Sequence, residues 1–292
     1  MTISKNIKYG IIVLFCILSE ISLAQVNNDK EYAVALDYTP VLNSSDFNSV
    51  FGGISGKDVK LGKNGLISEM EFIAFPNTVF EIEEIIPENN YNIYKVTTND
   101  YQYNSSALFI DSRFVKLLNQ KPEDRIKTFP SENEILNNLK SLVGYPYMWG
   151  GNYAEGIDKM LEYYPPKESI SNNVKDLWKL KGVDCSGLLY QATGGCTLRN
   201  TSSLITSGNA IEIKGKTAKE ISEMLLPLDL KAWNGQVIIV LDNDNVIEST
   251  PPNGVHITDL LERLNSIMKE RKPVNEWNSA KGKRFVVRRI IN

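Results

Sequence analysis

Residues 182–188 read Gly-Val-Asp-Cys-Ser-Gly-Leu and place a small thiol directly before a short apolar run. This pattern predicts that a helix begins at Cys185, with Asp184 just ahead of it. The first N–H groups of a helix have no partner within the helix, and the helix dipole is positive at that end, so both favour a thiolate over a thiol. Because the thiolate is the reactive form of cysteine, Cys185 is a candidate nucleophile with a lowered pKa.

The composition is that of an ordinary folded protein with an export signal. The chain has 292 residues, 42% hydrophobic and 23% charged, which is enough for two domains with their own cores. Residues 1–24 combine Lys5 and Lys8 with an apolar run over residues 11–18 and the small residues Ser22 and Ala24, and this predicts a signal peptide cleaved after Ala24 rather than a membrane-spanning helix. We therefore expect an exported protein, periplasmic or extracellular, without an integral membrane segment after cleavage. Cleavage also removes Glu20 and changes the net charge from −3 to −4, which does not indicate nucleic-acid binding.

Two cysteines, Cys185 and Cys196, remain after cleavage. A helix over residues 186–193 would hold their Cα atoms farther apart than the roughly 7 Å that a disulfide can bridge. We therefore predict that Cys185 is a free thiol. A buried structural cysteine is the ordinary role of such a residue, but a free thiol in an oxidising compartment is a candidate for function.

Residues 31–118 alternate short apolar runs with turn residues. Three of these runs are typical of strands: 71–75, 78–82 and 94–98. The pattern predicts a small all-β barrel. The strand spacing and the closing segment 109–115 resemble a bacterial SH3-like domain. Residues 119–130, which are rich in charge and contain Pro122, are predicted to form a linker.

The second half of the chain, residues 131–292, predicts a helix followed by antiparallel hairpins. Ser131 and Glu134 form a capping-box pattern ahead of apolar residues at helical spacing. Strands are predicted at residues 237–241, at 246–249 and from Val255 onward. A helix layer against an antiparallel sheet is an α+β arrangement.

Several motifs in this half resemble the NlpC/P60 family of papain-like cysteine peptidases of bacterial cell walls. The motifs, in chain order, are residues 147–151, 184–187 and 227–230, the last ahead of a strand hairpin. The resemblance implies a papain-like fold without a cofactor or a metal, and hydrolysis of peptidoglycan stem peptides by Cys185. It also implies that Asp184 and Ser186 bind the free amino end of the stem peptide, and that Tyr147 lies beside the thiol.

One residue departs from the family pattern. Gln236 stands in Gly235-Gln236-Val237, where the family has a histidine as the general base, and Glu248, twelve residues later, stands at the orienting position. The even numbers of Gln236 and Glu248 on strands joined by a tight turn predict a shared face of the sheet. Glutamine forms hydrogen bonds, but it cannot take up or release a proton near neutral pH. Hydrolysis is therefore expected to be weak or lost.

Several alternatives remain open at this point. One alternative is a base at another position: His256, the one histidine in the chain, or Glu248 with a pKa raised by burial. We expect that His256 does not contact the Cys185 sulfur. With a functional base the protein is a cell-wall cysteine peptidase, and without one it is a catalytically inactive module that binds stem peptides. An acyltransferase on the same architecture would use the same thiol chemistry. Trp149 is predicted to belong to the core rather than to the site.

Overall fold

The computed structural model describes residues 30–101 and 106–291. The predicted signal peptide lies outside the described residues. Within those residues, no helix is both long and apolar enough to cross a membrane.

The first part of the chain is antiparallel β structure, as predicted. Its elements are β1 (Tyr32–Ala35), β2 (Thr39–Leu42), α1 (Phe47–Val50), β3 (Phe51–Gly52), β4 (Asp58–Val59), β5 (Met70–Ala74), β6 (Val79–Pro87), β7 (Asn92–Thr97), β8 (Leu108–Asp111) and β9 (Val115–Leu118). Seven of these strands form one sheet in the order β5-β2-β8-β7-β6-β1-β9, and β3 pairs with β4 separately. Aromatic and branched side chains line its buried face, and such residues suit a pleated surface that is covered on one side.

The predicted closed barrel is not formed, because the two end strands β5 and β9 of this sheet do not pair with each other. A side chain from the second half of the chain covers the outer edge of β5 instead. Asn152 accepts a hydrogen bond from the Ile73 backbone N–H (2.9 Å) and donates one to the Ile73 carbonyl (2.7 Å). An edge strand whose backbone groups already have partners gains little from pairing with another strand.

The second part of the chain contains helices first and antiparallel strands after them. Its elements are α2 (Glu132–Ser141), β10 (Asn152–Tyr153), α3 (Lys159–Tyr163), α4 (Asn172–Trp178), β11 (Gly182–Val183), α5 (Cys185–Ala192), α6 (Thr201–Leu204), β12 (Asn209–Ala210), α7 (Ala218–Ser222), β13 (Leu230–Trp233), β14 (Gln236–Val240), β15 (Asn245–Thr250), β16 (Gly254–Asp259), α8 (Leu260–Glu270), β17 (Lys272–Pro273) and β18 (Arg284–Arg289). The predicted capping box of Ser131 and Glu134 is confirmed at the start of α2.

The sheet of this second part has helices on both faces. Its strands follow the order β12-β18-β13-β14-β15-β16, with β17 added in parallel beside β18. Alternate residues of β14 divide between two cores: Val237 and Ile239 pack with α2 and α5, whereas Ile238 and Val240 pack with α7 and α8. The sequence predicted a single helix layer, and α8 adds the second one.

The segment between Asn152 and Lys181 joins the core of the first part. Its buried residues Met160, Tyr164 and Trp178 pack with the apolar residues of the first sheet. The predicted linker is also docked: Arg125 pairs with Asp100 at 3.0 Å. These contacts hold the first sheet against the second part of the chain.

Candidate active site

Helix α5 begins at Cys185 because Asp184 caps it. The Asp184 Oδ1 atom accepts hydrogen bonds from the backbone N–H groups of Ser186 (3.0 Å) and Gly187 (2.7 Å), and the residue before the helix has extended backbone angles. A side-chain oxygen at this position satisfies N–H groups that have no partner within the helix. The predicted helix start at Cys185 is confirmed.

Gly187 lets the start of α5 approach the neighbouring turn closely. A Cβ atom at this position would collide with the backbone carbonyl of Gly151. Glycine therefore permits the contact that sets α5 against the turn at residues 150–151, where the Gly150 N–H donates to Asp184 Oδ2 at 3.1 Å.

Arg199 forms a buried ion pair with Asp184. Its Nη1 and Nη2 atoms donate to the two carboxylate oxygens at 2.9 and 2.7 Å, and Nη1 also donates to Ser186 Oγ at 2.7 Å. Its Nε donates to Asn152 Oδ1 at 3.1 Å, which links this pair to the edge of the first sheet. Sequence reasoning missed this role of Arg199. The two predicted substrate-binding residues Asp184 and Ser186 are thus engaged within the protein.

The Cys185 sulfur is nearly buried and contacts the backbone of β14 and of the turn before it. The residue is 5% exposed, and its Sγ lies 3.9 Å from the carbonyl oxygen of Gly235. Burial, followed by the negative charge of Asp184, raises the pKa of Cys185 to about 12, although backbone N–H groups of Val237 and Ser186 oppose this rise. The predicted lowering of the Cys185 pKa is therefore wrong. Desolvation of the thiolate outweighs the helix terminus. Burial also raises the pKa of Cys196, and both cysteines are free thiols.

Gln236 and Glu248 lie side by side on one face of the second sheet, as predicted from strand alternation. The Gln236 Nε2 atom donates to Glu248 Oε2 at 2.9 Å. Glu248 is 1% exposed and accepts two further hydrogen bonds from Arg263 of α8, at 2.5 and 2.9 Å. Arg263 and Gln236 occupy both carboxylate oxygens of Glu248, so this arrangement does not favour Glu248 as a relocated base.

His256 lies on β16, directly across from Glu248 in the strand register. Its Nδ1 atom is 2.9 Å from the carbonyl oxygen of Gly254. Among the described residues no hydrogen bond joins its ring to the Cys185 sulfur. The structure therefore offers no contact through which His256 would take the thiol proton.

A cleft of about 390 Å³ opens beside Cys185 between the two parts of the chain. The first part contributes Ser68, Met70, Glu71, Tyr101 and Ser106, and the second contributes Tyr147, Trp149, Gly150, Asp184, Cys185, Ser186, Asn200, Thr201, Ser202, Asn234 and Gly235. Trp149 is 45% exposed at this cleft, so its predicted place in the core is wrong. Tyr147 lies in the cleft as well, and burial, then the nearby charge of Asp184, raises its pKa.

Glu71 gives the cleft an acidic group that sequence reasoning missed. Its carboxylate accepts hydrogen bonds from Asn43 Nδ2 and from the Tyr101 hydroxyl, each at 2.8 Å. Asp184, the other acid in the cleft, is neutralised by Arg199. Glu71 has no ion pair with a cationic side chain in the part of the chain that the structure describes. No pattern in the sequence signalled this role, because a half-buried glutamate is common in a strand whose apolar and polar residues alternate.

Comparison with known proteins gives solved structures of NlpC/P60 proteins as neighbours, whereas no protein family and no curated protein matches the sequence. An NlpC/P60 family protein from Bacillus cereus has 15% identity and a TM-score of 0.34 over 90% of this chain, which spans 64% of that protein's length. NlpC1 from Trichomonas vaginalis has 11% identity and a TM-score of 0.37 over 89% of this chain and 92% of its own. NlpC2 from the same organism has 14% identity and a TM-score of 0.30, covering 89% and 72%.

Proposed function

We propose that this protein binds peptidoglycan stem peptides in the cleft beside Cys185 and hydrolyses them slowly or not at all. The observation that carries this proposal is a cleft-lining thiol that has no hydrogen bond to an acidic or basic side chain among the described residues. Position 236, where the family pattern has a histidine, holds an amide that donates to Glu248. The class of ligand comes from the motifs of the sequence, which resemble those of cell-wall peptidases. Export directed by residues 1–24 would deliver the protein to the compartment that contains such peptides.

The charge of the cleft supports recognition of a free amino group. Glu71 is held by neutral donors, Asn43 and Tyr101, so its negative charge is not compensated by a neighbouring cation. An ammonium group of a ligand would pair with this carboxylate in a partly enclosed space, where charge-assisted hydrogen bonds are strongest. Asp184 and Ser186, already bound to Arg199, would border this amino group and shape its pocket.

The chemistry of the thiol supports slow turnover. Burial raises the pKa of Cys185 well above neutral pH, so the thiol form predominates at pH 7. A peptidase also needs an acid to protonate the departing amine, and Gln236 has no proton to give near neutral pH. Loss of one member of a catalytic triad leaves roughly 10³- to 10⁴-fold acceleration over water.

A stem-peptide hydrolase with the thiol of Cys185 as nucleophile is the second candidate function. It is favoured by the position of this residue at the first turn of α5, where backbone N–H groups of Ser186 and Val237 stabilise the thiolate. These donors would also lower the energy of an attacking sulfur once a ligand displaced water from the cleft. The two candidates differ only in turnover.

Binding is tested by calorimetric titration with a stem tripeptide that has a free amino end, and with the same peptide acetylated at that end. We expect the natural protein to bind the acetylated peptide at least tenfold more weakly, because it cannot pair with Glu71. The Glu71→Gln variant should bind both peptides with similar affinity. Mass spectrometry of the same mixtures measures hydrolysis, and we expect little product after prolonged incubation.

Glu223→Gln is the control, because it removes an exposed carboxylate at the end of α7 that does not line the cleft. It should bind both peptides like the natural protein. Equal affinity of the natural protein for both peptides would contradict the role of Glu71. Rapid product formation that depends on Cys185 would favour the hydrolase over the binding module.

A further inference from the structure

Glu248 is the centre of a hydrogen-bonded cluster on the face of the second sheet that α8 covers. Arg263 donates from Nε to Oε1 at 2.5 Å and from Nη2 to Oε2 at 2.9 Å. Gln236 donates to the same Oε2 atom at 2.9 Å. The carboxylate therefore connects a helix on one side to the beginning of β14 on the other.

This arrangement determines how the Gln236 amide is turned. An ionised carboxylate accepts hydrogen bonds and donates none, so the amide must present its N–H₂ group to Glu248. Position 236 lies between Gly235 and Val237, whose backbone groups contact the Cys185 sulfur. The ion pair of α8 therefore acts on the residue that adjoins the thiol.

Two other ionisable groups face this carboxylate. The Lys231 amine is fully buried and has no hydrogen-bond partner among the described residues, and His256 lies opposite Glu248 with its Nδ1 atom near the carbonyl of Gly254. Neither group hydrogen-bonds to Glu248 in the part of the chain that the structure describes. Arg263 is thus the cation that holds the carboxylate in place.

We propose that Arg263 is a positioning residue that, by clamping Glu248, fixes the hydrogen-bond acceptor that orients the side chain at position 236, directly after Gly235, whose carbonyl oxygen contacts the Cys185 sulfur. The inference deepens the proposed function and rests on it, because position 236 adjoins the thiol of the proposed peptide cleft. It also explains how the orienting position stays assembled although the histidine of the family pattern is absent. A histidine placed at 236 would find its acceptor already in position.

The chain offers a closely matched control for Arg263. Arg289 binds Asp229 through the same two atoms, Nε and Nη2, at 2.8 and 2.7 Å. The side-chain exposures of the two pairs are also alike, 26% and 0% for Arg289 and Asp229 against 25% and 2% for Arg263 and Glu248. Removal of either arginine leaves a buried carboxylate unpaired, so the two variants carry a similar structural cost.

The first measurement is hydrogen exchange of the Gln236 side-chain amide, followed by nuclear magnetic resonance in the full chain. We expect Arg263→Met to accelerate this exchange at least tenfold, because the acceptor of the amide is no longer held. Arg263→Lys should restore most of the protection, and Arg289→Met should leave it unchanged. Unchanged exchange in Arg263→Met, or equal acceleration in Arg289→Met, would overturn the inference.

The second measurement is the pH dependence of Cys185 alkylation by iodoacetamide in proteins that carry Gln236→His. This change should increase the rate of Cys185 alkylation at neutral pH. Adding Arg263→Met should lower that rate at least tenfold relative to the Gln236→His protein. Adding Arg263→Lys should lower the rate less, and adding Arg289→Met should leave the rate of the Gln236→His protein unchanged. The role of Arg263 is wrong if both methionine variants behave alike. Because alkylation requires no stem peptide, this result is independent of whether the proposed ligand binds.

Discussion

At the scale of the residue, burial decides the chemistry of Cys185. The helix terminus would lower the pKa of a thiol that water reaches, but this sulfur is enclosed by α5 and β14 and lies beside Asp184. Desolvation disfavours the thiolate more strongly than two backbone N–H groups favour it. An imidazole next to the sulfur would change this balance, because it would accept the proton and remain as a compensating cation.

Gln236→His should therefore raise hydrolysis of a stem peptide by two or more orders of magnitude. The introduced imidazole would replace the amide that now donates to Glu248, and its second nitrogen would be free to take the thiol proton. The measurement is the rate of product formation followed by mass spectrometry, from pH 5 to 9. The missing-base hypothesis is wrong if the natural protein already turns over substrate at a rate that this change does not improve.

The double variant Gln236→His/Cys185→Ala is the control for this gain. It retains the imidazole and lacks the thiol, so it should show no hydrolysis above background. Residual activity in that variant would assign the reaction to a group other than Cys185.

At the scale of the element, Asn152 joins the edge of β5 to the N-terminal end of α5. Its amide takes the place of a strand partner for Ile73 and accepts a hydrogen bond from Arg199, which binds the capping residue Asp184. A single buried side chain thus couples the first sheet to the helix that carries Cys185. A buried polar network of this kind is stabilising only while every member keeps its partner.

Asn152→Ala should destabilise the protein by about 2–5 kcal/mol, because it leaves the Ile73 N–H and carbonyl buried without partners. Urea unfolding followed by circular dichroism measures this change. Asn138→Ala is the matched control: the exposed Asn138 amide makes one hydrogen bond, to the Ala192 carbonyl at 3.0 Å, so its loss should cost about 1 kcal/mol. Equal losses in the two variants would show that Asn152 does not hold the edge of β5.

At the scale of the whole molecule, the segment predicted to be a linker fastens the two parts of the chain together. Arg125 donates to the carbonyl oxygens of Gly194 and Gly195 just after α5, and it pairs with Asp100 of the first part. Lys127 binds the same carboxylate at 2.6 Å. Burial alone would raise the pKa of Asp100, but the hydrogen bonds and charges of Lys127 and Arg125 outweigh it and lower the pKa.

A carboxylate with a lowered pKa stabilises the folded state above its unfolded pKa of about 3.9 and loses that contribution as the pH falls through its folded value. The free energy of unfolding of the natural protein should therefore fall more steeply below pH 4 than that of Asp100→Asn. Urea unfolding at several pH values between 6 and 2 measures this difference.

Two linker variants provide the comparison for Asp100. Arg125→Met breaks the pair from the other side and should also flatten the pH dependence. Lys121→Met removes a linker lysine that has no ion pair among the described residues, and it should leave the pH dependence unchanged. Parallel curves for the natural protein and Asp100→Asn would contradict the role of this ion pair.

The amino-acid sequence by itself determined the local features of this protein. It predicted the helix start at Cys185, the capping box at Ser131, strands in both halves and the shared face of Gln236 and Glu248, because each follows from the pattern of residues close in the chain. Only the tertiary structure decided the high pKa of Cys185, the clamp of Arg263 on Glu248, the open first sheet and the acidic group Glu71 in the cleft. These features depend on burial and on partners distant in sequence, and no local pattern of residues specifies which distant groups will enclose a side chain.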